Sequence, residues 1–232
     1  MDWEYVAPSE LGEDSVQAMF GLMELVYEGV ELRQFRDDLA GKDEVILLTE
    51  DGVLVGFSTQ RFMNITVAGE PVKGIFSGDT VIHPDHWGGL GLMQAFSQRY
   101  IIKRDRDVYW FLISKGHRTY RMLPTFFSEF WPSRRASTPV WERDVMQTYA
   151  RELYPTDYDA TRGVLAYQTQ KDRLREGTAG TSEATLRNPD VAFFVALNPG
   201  WVVGHDLVCL TKLDPDNLRP QHRERLLGPE KP

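Results

Sequence analysis

The sequence predicts an α/β (α+β) fold: a central mixed sheet, entered as an antiparallel meander, continued by a parallel strand and flanked by helices. Two observations carry this. Three strand-like runs, Val45 to Leu48, Val53 to Phe62 and Val72 to His83, are joined by the turns Glu50-Asp51-Gly52 and Val67-Ala68-Gly69-Glu70, and consecutive strands with tight turns form a meander. The third run then passes Pro84 and the glycines at 88, 89 and 91 into an apolar helical pattern over 89–104. A further apolar run, Val108 to Ile113, follows, and a crossover of this kind places it parallel to its predecessor.

The other elements follow in order. Trp3 to Val6 reads as a short edge strand. From Asp14, which has capping-box spacing to Gln17, the residues Val16, Met19, Phe20, Met23 and Val26-Tyr27 recur with helical period, and a second helix with Leu32, Phe35 and Leu39 on one side ends near Gly41. After Ser114-Lys115-Gly116-His117 a helix is expected over Arg118 to Phe130, kinked or divided by Pro124 and closed by Pro132. Beyond the connector 133–139, Trp141 to Tyr154 reads as an amphipathic helix and Gly163 to Tyr167 as a strand. Thr169 to Asp190 is a long polar, lid-like excursion with a short helix near Glu183 to Arg187. Val191 to Leu197 is apolar and packed, Leu207 to Leu213 is a last strand, and the tail from Asp214 is a surface segment. The expected organisation is a core over 1–132 and an extension over 133–232 that completes the sheet and walls a pocket.

Composition narrows the function classes. With 34 acidic against 26 basic residues and no Lys/Arg block, nucleic acid and acidic membrane surfaces are not expected as main partners. The start, Met1-Asp2-Trp3-Glu4, lacks a basic and an apolar region, and no segment approaches the roughly 20 apolar residues that span a bilayer. A soluble, cytoplasmic protein is expected. The lone Cys209, within Leu207-Val208-Cys209-Leu210, reads as a buried thiol.

The junction from Gly78 to Phe96 carries the chemistry. Glycines let backbone amides approach a ligand closely, and the unpaired amides of a helix start favour negative charge, so a strand, glycine turn and helix suit a phosphate group. His83 and His86 have metal-like spacing around Asp85, but no third ligand stands near, so no metal is expected.

The same residues resemble the GNAT superfamily, the Gcn5-related N-acetyltransferases. Val81-Ile82-His83-Pro84-Asp85 is similar to the family's strand end, and His86-Trp87-Gly88-Gly89-Leu90-Gly91 to its turn, with histidine in the place of Gln or Arg and no basic residue inside a turn one residue shorter. The resemblance covers 1 to about 132 and, more loosely, the last strands. It implies acetyl-CoA or another acyl-CoA as co-substrate, with pantetheine lying where the fourth and fifth sheet strands splay apart. Backbone groups of Val81, Ile82 and His83 would hold it, the amide near Ile82 would face the oxyanion, and the turn of Trp87, Gly88, Gly89, Leu90 and Gly91 would meet the pyrophosphate. Ser114 would bond pantetheine.

By the same resemblance Asp79, on the face of Val81 and His83, is the candidate base, with Ser77 on that face as a substrate-positioning alternative. The place where relatives keep an acidic tyrosine falls on Phe126, and Tyr120, nearly two turns earlier, is the candidate substitute. His117, next to Arg118, is a candidate for the 3'-phosphate or else an exposed residue. The expected activity is N-acyl transfer, most simply acetyl transfer, to the amine of a small molecule by direct attack. Within that class a longer acyl chain or an acyl carrier protein as donor stays open, favoured by a basic patch of Arg118, Arg121, Arg134 and Arg135. Outside it stands a non-catalytic pantetheine-binding module, and a homodimer is compatible with either.

Overall fold

The computed structural model describes residues 1–102, 108–168, 172–175, 178 and 182–228. In chain order the elements are β1 (Asp2–Val6), α1 (Glu13–Val26), β2 (Tyr27–Glu28), α2 (Leu32–Ala40), β3 (Glu44–Glu50), β4 (Val53–Val67), β5 (Glu70–Ile82), α3 (Gly91–Tyr100), β6 (Val108–Ser114) and α4 (His117–Phe126). They continue with β7 (Phe130–Trp131), α5 (Val140–Leu153), β8 (Tyr158–Asp159), β9 (Val164–Leu165), β10 (Arg173–Leu174), α6 (Glu183–Leu186), α7 (Pro189–Leu197), β11 (Asp206–Lys212) and α8 (Pro220–Leu227).

A mixed sheet runs in the order β1-β3-β4-β5-β6-β11-β9-β8, with β7 also paired to β11. The expected meander is β3, β4 and β5, all antiparallel, and the expected crossover through α3 makes β5 and β6 parallel. Alternation along the strands divides the apolar residues between two faces. Ile46, Leu48, Ile75, Trp110 and Leu112 meet α3, α4, α7 and α8 on one side. Val45, Leu47 and Phe57 meet α1 and α2 on the other, and Phe76, Tyr109 and Phe111 meet α5 beside them. The sheet is therefore covered on both faces, and β11 binds the C-terminal part of the chain into it along the length of β6.

Several boundaries differ from expectation for local reasons. Helix α1 starts at Glu13 after Gly12, and Gln17 bonds the Glu13 carboxylate at 2.9 Å instead of closing a box with Asp14. Tyr27 leaves the helical pattern to form β2, which pairs with β10. Pro124 sits in α4 without dividing it, because the helix ends at Phe126. The tail is not only a surface segment: Leu218 and Leu226 are fully buried and α8 packs on α3. The expected helix end at Arg104 lies outside the described residues, as does much of the Thr169 to Asp190 excursion. Among the described residues no helix is long and apolar enough to cross a membrane.

Candidate functional site

Strands β5 and β6 pair from Lys73 and Val108 to Ser77 and Leu112, and there the pairing stops although both strands continue. The cause is visible on the other edge of β5. Against β4, Ser77 faces Gln60 and Thr80 faces Ser58, so Gly78 and Asp79 together oppose Thr59 alone. This is a β-bulge, which bends and twists its strand. It also shifts the alternation of side chains: Phe76 and Val81 lie on the same side of the sheet although they are five positions apart.

Ser77 consequently leaves the face of Asp79 on which simple alternation placed it. Its hydroxyl accepts from Trp110 Nε1 at 2.8 Å and donates to Gln60 Oε1 at 2.6 Å, on the α3 side. Gln60 Nε2 donates to Ser58 at 2.7 Å, and the hydroxyls of Ser58 and Thr80 are 2.7 Å apart. A chain of hydrogen bonds thus spans the bulge from β6 to Thr80 and holds it in shape.

Beyond the bulge the backbone polar groups of β5 are sorted by register. The His83 amide donates to the Val55 carbonyl at 2.8 Å, so it is spent on β4. Hydrogen-bonded and non-hydrogen-bonded pairs alternate in an antiparallel ladder, which makes Ile82, opposite Gly56, a non-bonded residue whose N–H and C=O point away from β4 into the gap. The Ile82 carbonyl there accepts from Trp87 Nε1 at 2.8 Å. By the same alternation Val81 is turned to β4 and Thr80 to the gap.

The parted strands open a cleft of about 170 Å³ that passes from one face of the sheet to the other. On the α3 and α4 side its walls are Leu92, Met93, Phe96, Trp110, Leu112, Thr119 and Met122; on the other they are Met23, Tyr27, Phe35, Asp38, Tyr154, Asp172 and Asp206. Asp79, Thr80, Ile113 and Lys115 lie at the passage between them.

Asp79 keeps partial exposure, to the cleft it lines, and is otherwise enclosed. Its carboxyl is pushed up to about 6, first by burial and next by the charge of Asp38, against the opposing pull of Lys42. Lys42 reaches it because Gly78 has no side chain: a Cβ there would stand 2.6 Å from Lys42 Cε. The ammonium of Lys42 is ion-paired with Asp38 and bonds the Asp38 carbonyl at 3.1 Å. Across the gap Lys115, just after β6, pairs with Asp172 at 2.6 Å. Burial opposes the charge on Lys115, but Asp206 and Asp172 outweigh it and its pKa is raised. Burial likewise raises the Tyr27 and Tyr154 hydroxyls, so both stay protonated.

At the other end of β5 the glycine turn takes its expected form. Gly88 has φ of 86°, a left-handed conformation that favours glycine. The first helical bond of α3 runs from the Gln94 amide to the Leu90 carbonyl, at 2.8 Å, so the Gly91, Leu92 and Met93 amides precede the intrahelical ladder. Trp87 folds back on Ile82, and the Arg118 guanidinium from α4 lies 4.1 Å from its ring centre.

The remaining predicted residues are placed elsewhere. Tyr120 is fully buried among Phe130, Phe193 and Phe194 and donates to the Pro132 carbonyl at 3.0 Å; it does not line the cleft, and burial raises its hydroxyl pKa far above the usual value. Ser114 is fully buried with its hydroxyl 3.7 Å from Cys209 Sγ. His83 and His86 stack edge to face at 5.9 Å, each beside a different carboxylate, Asp85 at 3.7 Å and Glu50 at 3.4 Å. No group of metal-ligating side chains occurs among the described residues. Asp38, Lys42, Lys115, Asp172 and Asp206 were not singled out from the sequence; the i to i+4 spacing of Asp38 and Lys42 was the one local signal.

A bulged β5, a parallel β6 that splays from it and a glycine turn leading to α3 together decide the architecture. The arrangement resembles the fold expected from the sequence. Solved structures similar to this chain include a probable N-acyltransferase from Enterococcus faecalis V583, at 14% identity and a TM-score of 0.42, covering 56% of this chain and 33% of that one. A GCN5-related N-acetyltransferase from Anabaena variabilis follows at 14% identity and 0.40, covering 52% and 31%. Escherichia coli ElaA matches at 14% identity and 0.38, over 57% of this chain and 93% of its own. The match therefore spans about a third of the length of the first two. No family model and no curated protein matches the sequence.

Proposed function

We propose that this protein is an N-acyltransferase that moves a short acyl group from acyl-CoA to the amine of a small molecule. The observation that carries the reading is the cleft through the sheet, with a single half-enclosed carboxylate, Asp79, where its two ends meet. Pantetheine, a chain of amides, would add to β5 as a strand does, bonding the gap-facing groups of Thr80. The pyrophosphate would meet the amides at the start of α3, and Arg118 would add the charge that the turn itself lacks.

In the reaction the amine nitrogen attacks the thioester carbonyl, which the narrow passage sets against it. The Ile82 amide would donate to the oxyanion. Asp79 takes the proton of the amine, directly or through one water, and the collapse of the tetrahedral intermediate breaks the C–S bond and releases CoA thiolate. A thiol with an ordinary pKa near 8.5 leaves adequately without a dedicated acid, consistent with Tyr120 lying outside the cleft. A cavity of about 150 Å³ holds a benzene-sized guest, so about 170 Å³ suits the reacting ends of two small groups.

The free thioester is preferred to a carrier protein as donor. Arg134 and Arg135 both turn to Asp190, at 2.7 and 3.8 Å, which offsets part of the positive charge that a patch for a carrier protein would use. The deciding experiment incubates the protein with acetyl-CoA and a panel of amines and follows free thiol. Amine-dependent thiol release that falls in Asp79→Asn is expected; CoA binding with no amine-dependent release would leave only a pantetheine-binding module.

A further inference from the structure

Resting on the reading above, we infer that the Thr80 hydroxyl is a catalytic hydrogen-bond donor, aimed at the thioester oxygen of the acyl donor. The order of protons in the buried chain between β6 and Thr80 carries this. Trp110 Nε1 can only donate, so the Ser77 hydroxyl, 2.8 Å away, accepts from it and gives its own proton to Gln60 Oε1 at 2.6 Å. That fixes the Gln60 amide. Its reverse orientation would set two donors on Ser77 and leave the Ser77 proton without an acceptor among the described residues. Gln60 Nε2 therefore donates to Ser58 Oγ at 2.7 Å, and the Ser58 proton goes on to Thr80 Oγ1, also at 2.7 Å.

Thr80 ends the chain. Its oxygen accepts from Ser58, and no described group accepts the Thr80 proton in turn. Gln60, Ser58 and Ser77 are nearly sealed, at 0%, 2% and 4% exposure, whereas Thr80 keeps partial exposure to the cleft it lines. A row of donors thus runs outward from a buried indole and delivers an O–H to the ligand space. Each bond in such a row polarises the next, which makes the last hydroxyl a stronger donor than an isolated one.

The acceptor follows from the surroundings of that proton. Thr80 bonds Ser58 on the α3 side of the sheet, where the cleft wall is Leu92, Met93, Phe96, Leu112 and Met122, apolar apart from Thr119 and the Trp110 N–H already given to Ser77. An ammonium has no lone pair for a donor to hold, and an amine that attacks needs its lone pair free. A thioester oxygen is an uncharged acceptor that suits this wall. As the C–N bond forms, the C=O electron pair moves onto that oxygen, and a fixed donor there stabilises the change; as the C–S bond breaks the pair returns, and Thr80 keeps its proton throughout. Asp79 and Thr80 are neighbours on β5 and face opposite sides of the sheet. Proton removal from nitrogen and stabilisation of the oxygen are thereby divided between the two ends of the passage, and the Ile82 amide would share the oxygen with Thr80.

The test follows carbonyl-labelled acetyl-CoA on the full chain by isotope-edited infrared spectroscopy without amine, beside thiol release with the amine panel. In the parent the bound carbonyl band should lie below its position in an aprotic solvent. Thr80→Val should move the band back toward that position and lower kcat about 10²-fold, with KM for acetyl-CoA changed less than about threefold, and Thr80→Ser should recover most of both. Thr80→Val also leaves the Ser58 proton without its acceptor, a structural effect that urea denaturation reads separately. Lost stability with band and kcat unmoved would overturn the inference, and a rise in KM alone would assign the proton to pantetheine instead. A parent band at the aprotic position, or no binding of acetyl-CoA, would overturn it without any variant. A Thr80-dependent band without amine-dependent thiol release would retain it and remove acyl transfer. Release that Thr80→Val leaves unchanged would do the reverse.

Discussion

The Arg118 guanidinium lies over Trp87 at 4.1 Å from the ring centre, while the Trp87 indole donates to the Ile82 carbonyl at 2.8 Å. One side chain thus ties the glycine turn to the end of β5 and receives a cation from α4. Arg118 also bonds the Thr178 carbonyl at 3.2 Å, so its position is fixed from two sides. Its pKa is lowered, by burial first and by the neighbouring charge of Arg121 second.

If Arg118 meets the donor's phosphates, its loss changes binding and not chemistry. Arg118→Ala should raise KM for acetyl-CoA about tenfold with kcat changed less than about twofold, and Arg118→Lys should recover part of that, since lysine keeps the charge without the planar stack. Steady-state kinetics at saturating amine measures both. An equal fall in kcat and kcat/KM would place Arg118 in the chemical step instead.

If Asp79 is the base, it sets the pH dependence. As a base it works in the ionised form, and its pKa of about 6 places the rising limb of kcat/KM near pH 6. Asp79→Asn should lower the rate about 10²- to 10⁴-fold and abolish that limb. A profile that keeps its limb in the variant would assign it to another group.

The same shift has a consequence for stability, with a sign that follows from its direction. A carboxyl whose pKa is raised on folding prefers the protonated state in the native protein. The native state is therefore penalised as pH rises from about 4 through about 6, and the penalty is complete above that. Asp79→Asn should consequently be more stable than the parent by about 1–3 kcal/mol at pH 8 and no different below about pH 4. Urea denaturation at the two pH values reads this directly. A variant less stable at pH 8 would mean that the ionised carboxylate is held by partners in the native state.

Much of this architecture is written in local pattern. Meander, crossover and glycine turn follow from alternation, turn residues and Pro84, and Asp79 itself stands out as the carboxylate in the last part of its strand, just before the glycine turn. What pattern does not disclose is the bulge: Gly78-Asp79 reads as two more residues of a strand, and only the pairing of Gln60 with Ser77 and of Ser58 with Thr80 reveals the extra one. That one residue moves Ser77 to the opposite face. The charged surroundings are harder still, because Asp38, Lys115, Asp172 and Asp206 lie in four separate parts of the chain that only the closed sheet brings together. Tyr120 shows the converse: it is the tyrosine that the sequence offers, nearly two turns before Phe126, and packing against Phe130, Phe193 and Phe194 spends it in the core.

Gly78 links the bulge to the chemistry, and its substitution tests both. A Cβ there would stand 2.6 Å from Lys42 Cε, 3.2 Å from its Nζ and 2.9 Å from Thr59 Oγ1. Thr59 is fully buried and cannot retreat, and the Lys42 side chain is only 4% exposed and ion-paired to Asp38. Gly78→Ala therefore has to displace the ammonium, at a cost of about 1–3 kcal/mol. Lys42 lowers the pKa of Asp79, so moving it away raises that pKa further. The variant should be less stable than the parent in urea, and the rising limb of its pH profile should move above pH 6. Loss of stability with the limb unmoved would show that Lys42 keeps its distance to Asp79 after the bulge has adjusted, and that the electrostatic tie between the two passes by a route other than the open face of Gly78.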